Sequence, residues 1–497
     1  MTDLWLQDNI SFMNQSVPAA SHLPVQRSPG SSKWSGNALC YFIVIALALK
    51  GALLIADPSP QLFLGDSSSY VHTAVTGWIP PDRSFLYGFL IRWLSVTSGS
   101  LFSLVFSQVL ASSVSAGLVG WMLWRFWGTS KPFAAIATIL CSLDPIQLMY
   151  ERFVMAEAFS LMAALFFVSS LLLFVDNGRQ RYLVFASVAG VVAVALRISF
   201  LPAVVALSFS APVIRLFVKD PGQPITAKTR RNSFVVSLAL ITVCHFSLYT
   251  GYKLLNGRLS SAPPAYQYAD GFSLLSAWCP VMTLSDLQAV GLSGSILEGT
   301  APRTLESRRA HRWLPDGISA ALDRQYTDPL KANALAKKLA LHILQRDPLG
   351  VAVLGVRTYL RGWQRDVIKN CIIEDTGAHR PIPPDLFQRL ERRFHIAVDK
   401  LGNQETLSKS YFARGIQWYR ILLLTPILLV ITTGFARRRD RSFLLVVTIY
   451  ANAILVTAVG LTVDNSIRYL HPLGWTFFFL AGFWTRFFET KFRPHDR

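Results

Sequence analysis

The stretch Glu157-Ala-Phe-Ser-Leu-Met-Ala-Ala-Leu-Phe-Phe-Val-Ser-Ser-Leu-Leu-Leu-Phe-Val175 contains no charged residue after its first position. A bilayer core about 30 Å thick requires roughly 20 apolar residues in a helix that crosses it, so this stretch is predicted to span a membrane. Comparable segments recur along most of the 497 residues, of which 52% are hydrophobic and only 15% charged. A soluble protein has about a quarter of its residues charged. The sequence therefore predicts an all-α polytopic membrane protein.

About ten such segments can be distinguished, and each is predicted to be a transmembrane helix. At one point, Arg197, Ser199 and Pro202 interrupt a long apolar run, which leaves two short helices and one broken helix as alternatives. The predicted spans cover residues 38–56, 101–124, 132–150, 157–175, 182–199, 201–218, 234–255, 416–435, 442–461 and 468–488.

Basic residues between the spans predict the topology. Loops rich in Lys and Arg stay on the cytoplasmic side, and ten crossings from a cytoplasmic N-terminus bring every basic cluster to that side. The net charge of +19 is therefore assigned to topology and to contact with anionic membrane lipids, and not to nucleic acid. The basic clusters lie around residues 125–131, 179–181, 215–231, 437–441 and 486–497. The same count places outside the residues 57–100, 151–156, 257–415 and 462–467.

This topology divides the chain into four parts. Residues 1–37 are polar and rich in Ser and Pro, which predicts a disordered cytoplasmic tail. Residues 38–256 form an N-terminal transmembrane module, and 257–415 form an extracytoplasmic loop domain. Residues 416–497 supply the C-terminal transmembrane helices and a second cytoplasmic tail. We expect the protein in a bacterial inner (plasma) membrane, with both termini in the cytoplasm.

Two outer segments are too polar to cross the membrane. The first outer loop, 57–100, carries apolar side chains in its second half, which predicts juxtamembrane helices there. In the loop domain, leucines at helical spacing predict a helix over 331–363 that Pro348 interrupts. Cys279 and Cys371 share this loop domain, and the sequence leaves open whether they are bridged.

Two carboxylates at the outer ends of predicted spans are candidates for chemistry. Asp66 follows Gly65 and precedes three serines, which predicts irregular backbone at the outer membrane face. The alternative for Asp66 is a helix N-cap, because a carboxylate oxygen accepts hydrogen bonds from unpaired backbone N–H groups. Glu157 begins the fourth span, where a second acid and a simple cap remain equal alternatives.

Three arginines are predicted on the same side as these acids. Arg197 stands about fifteen residues into an apolar stretch, where a charge normally faces the protein interior or a water-filled cavity. Arg83 has an alternative as an interfacial side chain that reaches toward water. Arg468 and Tyr469 begin the last span, and a structural pair of Arg468 with Asp464 is the alternative there.

With these residues the chain resembles the polyprenyl-phosphate-sugar-dependent glycosyltransferases of the GT-C fold, such as protein mannosyltransferases and bacterial aminoarabinose transferases of lipid A. The resemblance covers about 38–256 and 416–490, and the chain departs from it by lacking the Pro-Pro that often follows the basic residue of the first loop. The stretches that carry it are Gly65-Asp66 with Tyr70, Arg83-Ser84-Phe85-Leu86-Tyr87, Tyr150-Glu151-Arg152 through Glu157, Leu196-Arg197-Ile198-Ser199 through Pro202, and Arg468-Tyr469-Leu470 through Pro472.

The resemblance implies an extracytoplasmic active site of an inverting glycosyltransferase of the cell envelope, active in glycan biosynthesis. The donor would be a polyprenyl-phosphate sugar, and the acceptor a hydroxyl of a lipid, a glycan or a protein. Asp66 would be the catalytic base, with Glu157 as a second catalytic residue. The implied roles of the other residues are donor-phosphate binding by Arg83, Arg197, Arg468 and Tyr469, and substrate binding by Tyr70 and Tyr87.

Other functions remain open on the sequence alone. A flippase or transporter for a lipid-linked saccharide is the main alternative, because broken helices such as the one near Arg197 mark transport paths. A polymerase or ligase that uses a diphosphate-linked donor is the third. The sequence has no Walker, dinucleotide, His-Glu-x-x-His or Cys-x-x-Cys motif. No cofactor and no metal site are predicted, although Glu157 leaves a divalent metal open.

Overall fold

The protein is described from a computed structural model that covers residues 36–218, 227–377, 384–396, 405–463 and 466–492. From Leu39 onward these residues belong to one compact unit. The predicted tail 1–37 lies outside the described residues except for Gly36 and Asn37, which begin the first helix. Asp464, the alternative partner of Arg468, also lies outside them.

The described residues are helical, and their β-type contacts amount to one isolated bridge between Gln61 and Phe153. The helices of the N-terminal part are α1 (Gly36–Ala56), α2 (Leu64–Thr76), α3 (Phe85–Ile91), α4 (Phe102–Met122), α5 (Lys131–Ser142), α6 (Pro145–Tyr150), α7 (Glu157–Asn177), α8 (Arg181–Leu196), α9 (Leu201–Leu216) and α10 (Ala227–Ser260). The middle of the chain contains α11 (Asp270–Trp278), α12 (Leu284–Ala289), α13 (Arg308–Trp313), α14 (Ile318–Gln325), α15 (Pro329–Arg346), α16 (Pro348–Arg361), α17 (Arg365–Asp375), α18 (Pro384–Phe394) and α19 (Leu407–Ala413). The C-terminal part consists of α20 (Ile416–Phe435), α21 (Arg438–Val456) and α22 (Gly474–Phe492).

Seven helices in the described ranges are long and apolar enough to cross a membrane, and an eighth span results if α15 and α16 count as one bent pair. The chain is therefore a helical membrane protein, but the predicted count of ten spans is not confirmed. The seven candidates are Gly36–Ala56, Phe102–Trp127, Glu157–Asn177, Ile198–Leu216, Lys228–Ser260, Ile416–Phe435 and Arg438–Leu461.

Three predicted spans correspond to shorter or interrupted helices. The predicted span 132–150 is divided into α5 and α6, because the Asp144 side chain accepts a hydrogen bond from the backbone N–H of Ile146 and starts a new helix. The predicted span 182–199 ends at Leu196, after only 16 helical residues. The predicted span 468–488 begins with 3-10 turns, and its helix starts at Gly474.

Helix α7 lies at the centre of the bundle, where it packs against α4, α8, α9 and α21. Its 21 residues measure about 30 Å, and most of them are buried. The first residue, Glu157, lies beside the end of α8. Asp176, near the other end of α7, pairs with Arg125 and Arg439. The two termini of α7 thus mark two opposite ends of the bundle.

The basic clusters of the sequence meet at the end marked by Asp176. Arg125 approaches Asp176 to 2.6 Å and Arg439 to 3.0 Å. Arg215 donates to the backbone carbonyl of Val175 over 3.1 Å, which joins α9 to α7. Clusters that are far apart in the sequence therefore share one end of the bundle, in agreement with their predicted placement on one side of the membrane.

Helix α1 is attached to the bundle through buried charges. Lys50 donates to Glu151 over 2.7 Å, and neither side chain is exposed to solvent. Arg152 approaches the other oxygen of Glu151 to 3.1 Å and also donates to the backbone carbonyl of Asp57. Removing one member of a buried ion pair typically costs about 3–5 kcal/mol. Glu151 and Arg152 therefore have a structural role between α1 and the turn before α7.

The predicted loop domain, residues 257–415, contains a hydrophobic cluster built mainly from α11, α14 and α15, and the division of the chain into domains stays a prediction. The predicted helix over 331–363 is confirmed as α15 and α16, which meet at a 98° bend. Pro348 begins α16 directly after the bend, where Asp347 caps the backbone N–H of Gly350. No disulfide bridge connects Cys279 and Cys371 in the described part of the chain.

Helix α10 has 34 residues and crosses the bundle at its periphery. It packs on α8 and α9. Among the 18 consecutive residues of α10 that are most apolar, only about a fifth are buried inside the protein. Near its C-terminal end, Tyr252 and Lys253 reach a cavity that also involves the loop domain.

Candidate active site

A cavity of about 510 Å³ opens at the Glu157 end of the bundle. It lies between the end of α8, the start of α2, the residues that precede α22, and the loop domain. Seven of the eight site residues predicted from the sequence line it. These are Asp66, Tyr70, Arg83, Glu157, Arg197, Arg468 and Tyr469. Tyr87 does not line the cavity.

Asp66 lies in the first turn of α2, and its two carboxylate oxygens are both engaged by arginines. One oxygen pairs with Arg83 and the other with Arg468. The expectation of irregular backbone is wrong, since Asp66 is helical. The N-cap alternative is also wrong, because the N-cap position is Phe63 and no side chain caps it. The apolar sequence around 61–64 gave no sign that the helix begins this early.

The charge state of Asp66 follows from these contacts. Burial by itself raises the pKa of the carboxyl group, but the positive charges of Arg468 and Arg83 outweigh this effect and lower the pKa below its usual 3.8. Asp66 is therefore ionised at neutral pH and forms a charged hydrogen-bond partner of two guanidinium groups.

Arg197 and Glu157 form a second charged contact across the break between α8 and α9. Arg197 ends α8 with extended backbone (φ −152°, ψ 107°), and a short 3-10 turn follows before α9. Its Nη1 lies 3.4 Å from Glu157 Oε1 and donates to the backbone carbonyl of Arg468 over 3.2 Å. The interrupted run is thus two helices, and the break points Arg197 toward the C-terminal site residues.

The ring of Tyr469 contacts the guanidinium groups of both Arg197 and Arg468. The guanidinium carbons of Arg197 and Arg468 each lie 5.1 Å from the centroid of its ring. Arg468 Nη2 also donates to the Tyr469 hydroxyl over 3.2 Å. Such cation–π contacts stabilise cations that have lost part of their hydration. The aromatic ring therefore keeps two positive side chains close together.

Each of the three arginines keeps a buried nitrogen that lacks a hydrogen-bond partner among the described residues. These atoms are Arg83 Nε, Arg197 Nη2 and Arg468 Nε. A buried N–H group without an acceptor costs free energy, and all three of these groups belong to arginines that line the cavity. An anion with several oxygens matches this need, because guanidinium groups bind phosphate through charge-assisted hydrogen bonds.

The two predicted substrate-binding tyrosines have different surroundings. Tyr70 lines the cavity, with the guanidinium of Arg83 lying 5.6 Å from its ring centroid. Tyr87 is fully buried and its hydroxyl donates to Gln108 over 2.6 Å. Its ring packs edge-on against Tyr70 at 4.7 Å. Tyr87 therefore supports Tyr70 from behind and contacts no ligand space.

Apolar side chains form the part of the cavity next to the helix break. Val194, Leu196 and Ile198 line it from the α8 side, and Leu461 and Val463 from the segment after α21. This arrangement puts a hydrophobic surface directly beside the arginine cluster. A molecule with a charged head and an apolar tail would find both surfaces within one cavity.

Several polar residues that line the cavity were not predicted from the sequence. Two are acids, Asp82 and Asp270, and the others are Tyr252, Lys253, Tyr266, Arg312, Trp313 and Lys337. No known spacing relates them, since Asp82 precedes α3, Tyr266 lies between α10 and α11, and the rest come from α10, α11, α13 and α15. The cluster of tyrosines over 249–268 was the one available signal in the sequence.

Among the described residues, no three His, Cys, Asp or Glu side chains are grouped in a way that could hold a metal ion. Comparisons with protein-family models, curated proteins and solved structures return no match to this chain. The chemistry of the cavity is consequently the basis for assigning a function.

Proposed function

We propose that this protein is a membrane-embedded glycosyltransferase that transfers a sugar from a polyprenyl phosphate to a hydroxyl acceptor at the extracytoplasmic face. One observation carries the proposal: a buried carboxylate and three arginines with unpaired N–H groups surround a cavity that has an apolar wall. The arginines suit the phosphate, the apolar wall suits the first units of a polyprenyl chain, and Asp66 suits the acceptor hydroxyl.

Each of these groups has one role in the proposed reaction. Asp66 takes the proton of the acceptor hydroxyl as its oxygen attacks the anomeric carbon. The bond between that carbon and the phosphate oxygen breaks, and its electron pair leaves with the polyprenyl phosphate. The phosphate thereby gains one negative charge, which Arg83, Arg197 and Arg468 stabilise. A direct displacement of this kind inverts the anomeric centre.

Donor binding also changes the pKa of Asp66, the proposed base. Before binding, Arg83 and Arg468 are held by Asp66. A phosphodiester that binds these guanidinium groups competes with the carboxylate for them. The competition weakens the influence that lowers the pKa of Asp66, while burial, which raises it, stays. Asp66 therefore becomes a stronger base when donor is present.

The first test replaces Asp66 with Asn, which keeps the size of the side chain and one acceptor oxygen. We expect Asp66→Asn to lower sugar transfer by at least about a hundredfold, within the range for loss of a general base. The assay measures release of polyprenyl phosphate from a labelled polyprenyl-phosphate sugar in proteoliposomes. Unchanged helicity by circular dichroism and unchanged elution confirm that the variant folds, and normal turnover by it would remove Asp66 from the mechanism.

A transporter of lipid-linked saccharides is the second candidate, because the break at Arg197 interrupts a helix beside the cavity. The proteoliposome experiment also separates this candidate from the enzyme. An enzyme releases polyprenyl phosphate, whereas a transporter moves the intact labelled lipid between leaflets. A polymerase or ligase would instead require a diphosphate-linked donor, which mass spectrometry of the lipid product identifies.

A further inference from the structure

The charged side chains that line the cavity are not balanced. Six are basic and four are acidic, which leaves a formal excess of two positive charges. Three of the four acids contact Arg83, Arg197 or Arg468. Asp66 pairs with Arg83 and Arg468, Asp82 approaches Arg83 to 3.5 Å, and Glu157 approaches Arg197 to 3.4 Å.

The part near Asp66 thus has three acids for three arginines, and its formal charge is zero. On the loop-domain side, Asp270 pairs with Lys337 at 2.7 Å. Arg312 and Lys253 are the two cations of the cavity lining that remain, and neither forms an ion pair with a carboxylate of the described residues.

Arg312 has a setting that suits a missing anion. Its Nε donates to the Ser273 hydroxyl over 3.3 Å, and its guanidinium carbon lies 4.0 Å from the centroid of Trp313. Burial lowers the pKa of Arg312 from its usual value, and the charges of Asp82 and Asp323, neither of which forms an ion pair with it, offset this effect only in part. Lys253 lies on α10, with its ammonium 4.5 Å from the centroid of Tyr266. Each of the two cations therefore contacts an aromatic ring and forms no ion pair among the described residues.

We propose that Arg312 and Lys253 form a second anion site, which binds a phosphate or carboxylate group of the sugar acceptor. The assignment to the acceptor rests on the proposed glycosyltransferase function. A lipid-linked donor places its tail on the apolar wall, so its phosphate lies at Arg197 and the neighbouring arginines. The remaining positive charge is on Arg312 and Lys253, and Arg312 lies beside Trp313, which is 51% exposed. A water-soluble or interfacial acceptor enters past Trp313.

The substrate class follows from this charge. The acceptor carries its own negative group in addition to the hydroxyl that receives the sugar. A neutral glycan or a neutral peptide segment leaves Arg312 and Lys253 without a partner, and is bound more weakly. The loop domain, which supplies Arg312, thereby selects the acceptor, whereas the transmembrane module holds the donor.

Two probes test the site without any need for turnover. Glucose 6-phosphate represents an anionic acceptor and glucose its neutral control, while farnesyl phosphate represents the lipid phosphate of the donor. Binding to the detergent-solubilised full chain is measured by titration calorimetry. For Arg312→Gln we expect the Kd for glucose 6-phosphate to rise at least tenfold and the Kd for farnesyl phosphate to change less than twofold. Lys253→Gln gives the same pattern by an independent change.

Arg324→Gln is the matched control, because Arg324 is an exposed arginine of the same loop domain outside the cavity lining. It should leave both affinities unchanged. The proposal is overturned if Arg312→Gln weakens farnesyl phosphate as much as glucose 6-phosphate, or if the natural protein binds glucose 6-phosphate no better than glucose. Selective binding in a protein that transfers no sugar would instead refute the enzyme and keep the anion site.

Discussion

Asp66 accepts hydrogen bonds from two arginines at once, and this single residue links the charge of the cavity to its reactivity. Its pKa is lowered in the free protein. A carboxylate with a lowered pKa is ionised but weakly basic. The donor phosphate is the one ligand proposed here that relieves this state, because it attracts the same guanidinium groups.

The competition between the donor phosphate and Asp66 for the arginines predicts that kcat/KM and kcat decrease at different acidic pH values. The limb of kcat/KM reports the free protein and the limb of kcat reports the complex with bound substrates. Because the pKa of Asp66 is lowered in the free protein, kcat/KM should fall only below about pH 4. When the arginines bind the donor phosphate, the pKa of Asp66 rises, so kcat should begin to fall at a higher pH than kcat/KM. Coinciding limbs would contradict the competition between phosphate and carboxylate.

A stability measurement checks the free-protein half of this prediction. A group with a lowered folded pKa stabilises the fold above its unfolded pKa of about 3.8, and the stabilisation disappears as the pH falls through the lower, folded value. The difference in Tm between the natural protein and Asp66→Asn should therefore be constant from pH 8 to pH 5. If the natural protein instead gained Tm relative to Asp66→Asn as the pH fell from 7 to 5, the pKa of Asp66 would be raised.

The sequence allowed the residues near the membrane to be predicted for a physical reason. Charges such as Asp66, Arg197 and Arg468 are costly beside apolar spans, so their presence alone is a signal. Arg312 and Lys253 lie among many polar residues of a solvated region, where a charge has no such cost. Their approach to the cavity depends on how α10 and α13 pack, and no local pattern encodes that packing.

At the scale of elements, α2 and α3 come into close contact in front of the cavity. A Cβ atom at Gly88 of α3 would lie 2.4 Å from Thr73 Cγ2 of α2. Thr73 has little freedom to move, because it is β-branched and its hydroxyl donates to the Ser69 carbonyl over 3.0 Å. The absence of a side chain at Gly88 therefore keeps α2, with Asp66 and Tyr70, in place.

Gly88→Ala should consequently destabilise the protein by about 1–3 kcal/mol, as overpacking does, and should lower transfer activity. Gly51→Ala is the control, since a Cβ atom at that position of α1 meets nothing within 4 Å. Thermal unfolding of both variants measures the contrast. A second substitution, Thr73→Ala, should restore part of the lost stability of Gly88→Ala. Equal effects at the two glycines would show that the contact between α2 and α3 is loose.

The difference between the predicted and the observed number of spans shows which features hydropathy does not detect. Apolar composition identified α1, α7 and α20 within a few residues. It did not reveal that a polar cap such as Asp144 divides a span, or that a helix such as α8 has only 16 residues. Both features depend on hydrogen bonds and packing between neighbouring helices, which cover backbone groups that a lone helix would expose to lipid.

At the scale of the molecule, the cavity and the basic clusters lie at opposite ends of α7. Positive residues favour the cytoplasmic side, so the cavity should face outward. In a cysteine-free background, Leu314→Cys near the cavity should react with a membrane-impermeant maleimide on intact cells. Phe492→Cys at the other end should react only after permeabilisation. Both positions are exposed, at 51% and 69%, and the reverse pattern of labelling would invert the topology.

Helix α10 has a further consequence for the protein in its membrane. Its 34 residues extend over about 51 Å, whereas the hydrocarbon layer is about 30 Å thick. The helix must therefore tilt or project beyond the lipid, and its inclination depends on the thickness of the bilayer. Since Tyr252 and Lys253 lie near the C-terminal end of this helix and line the cavity, a change in bilayer thickness that tilts α10 would shift this part of the cavity wall.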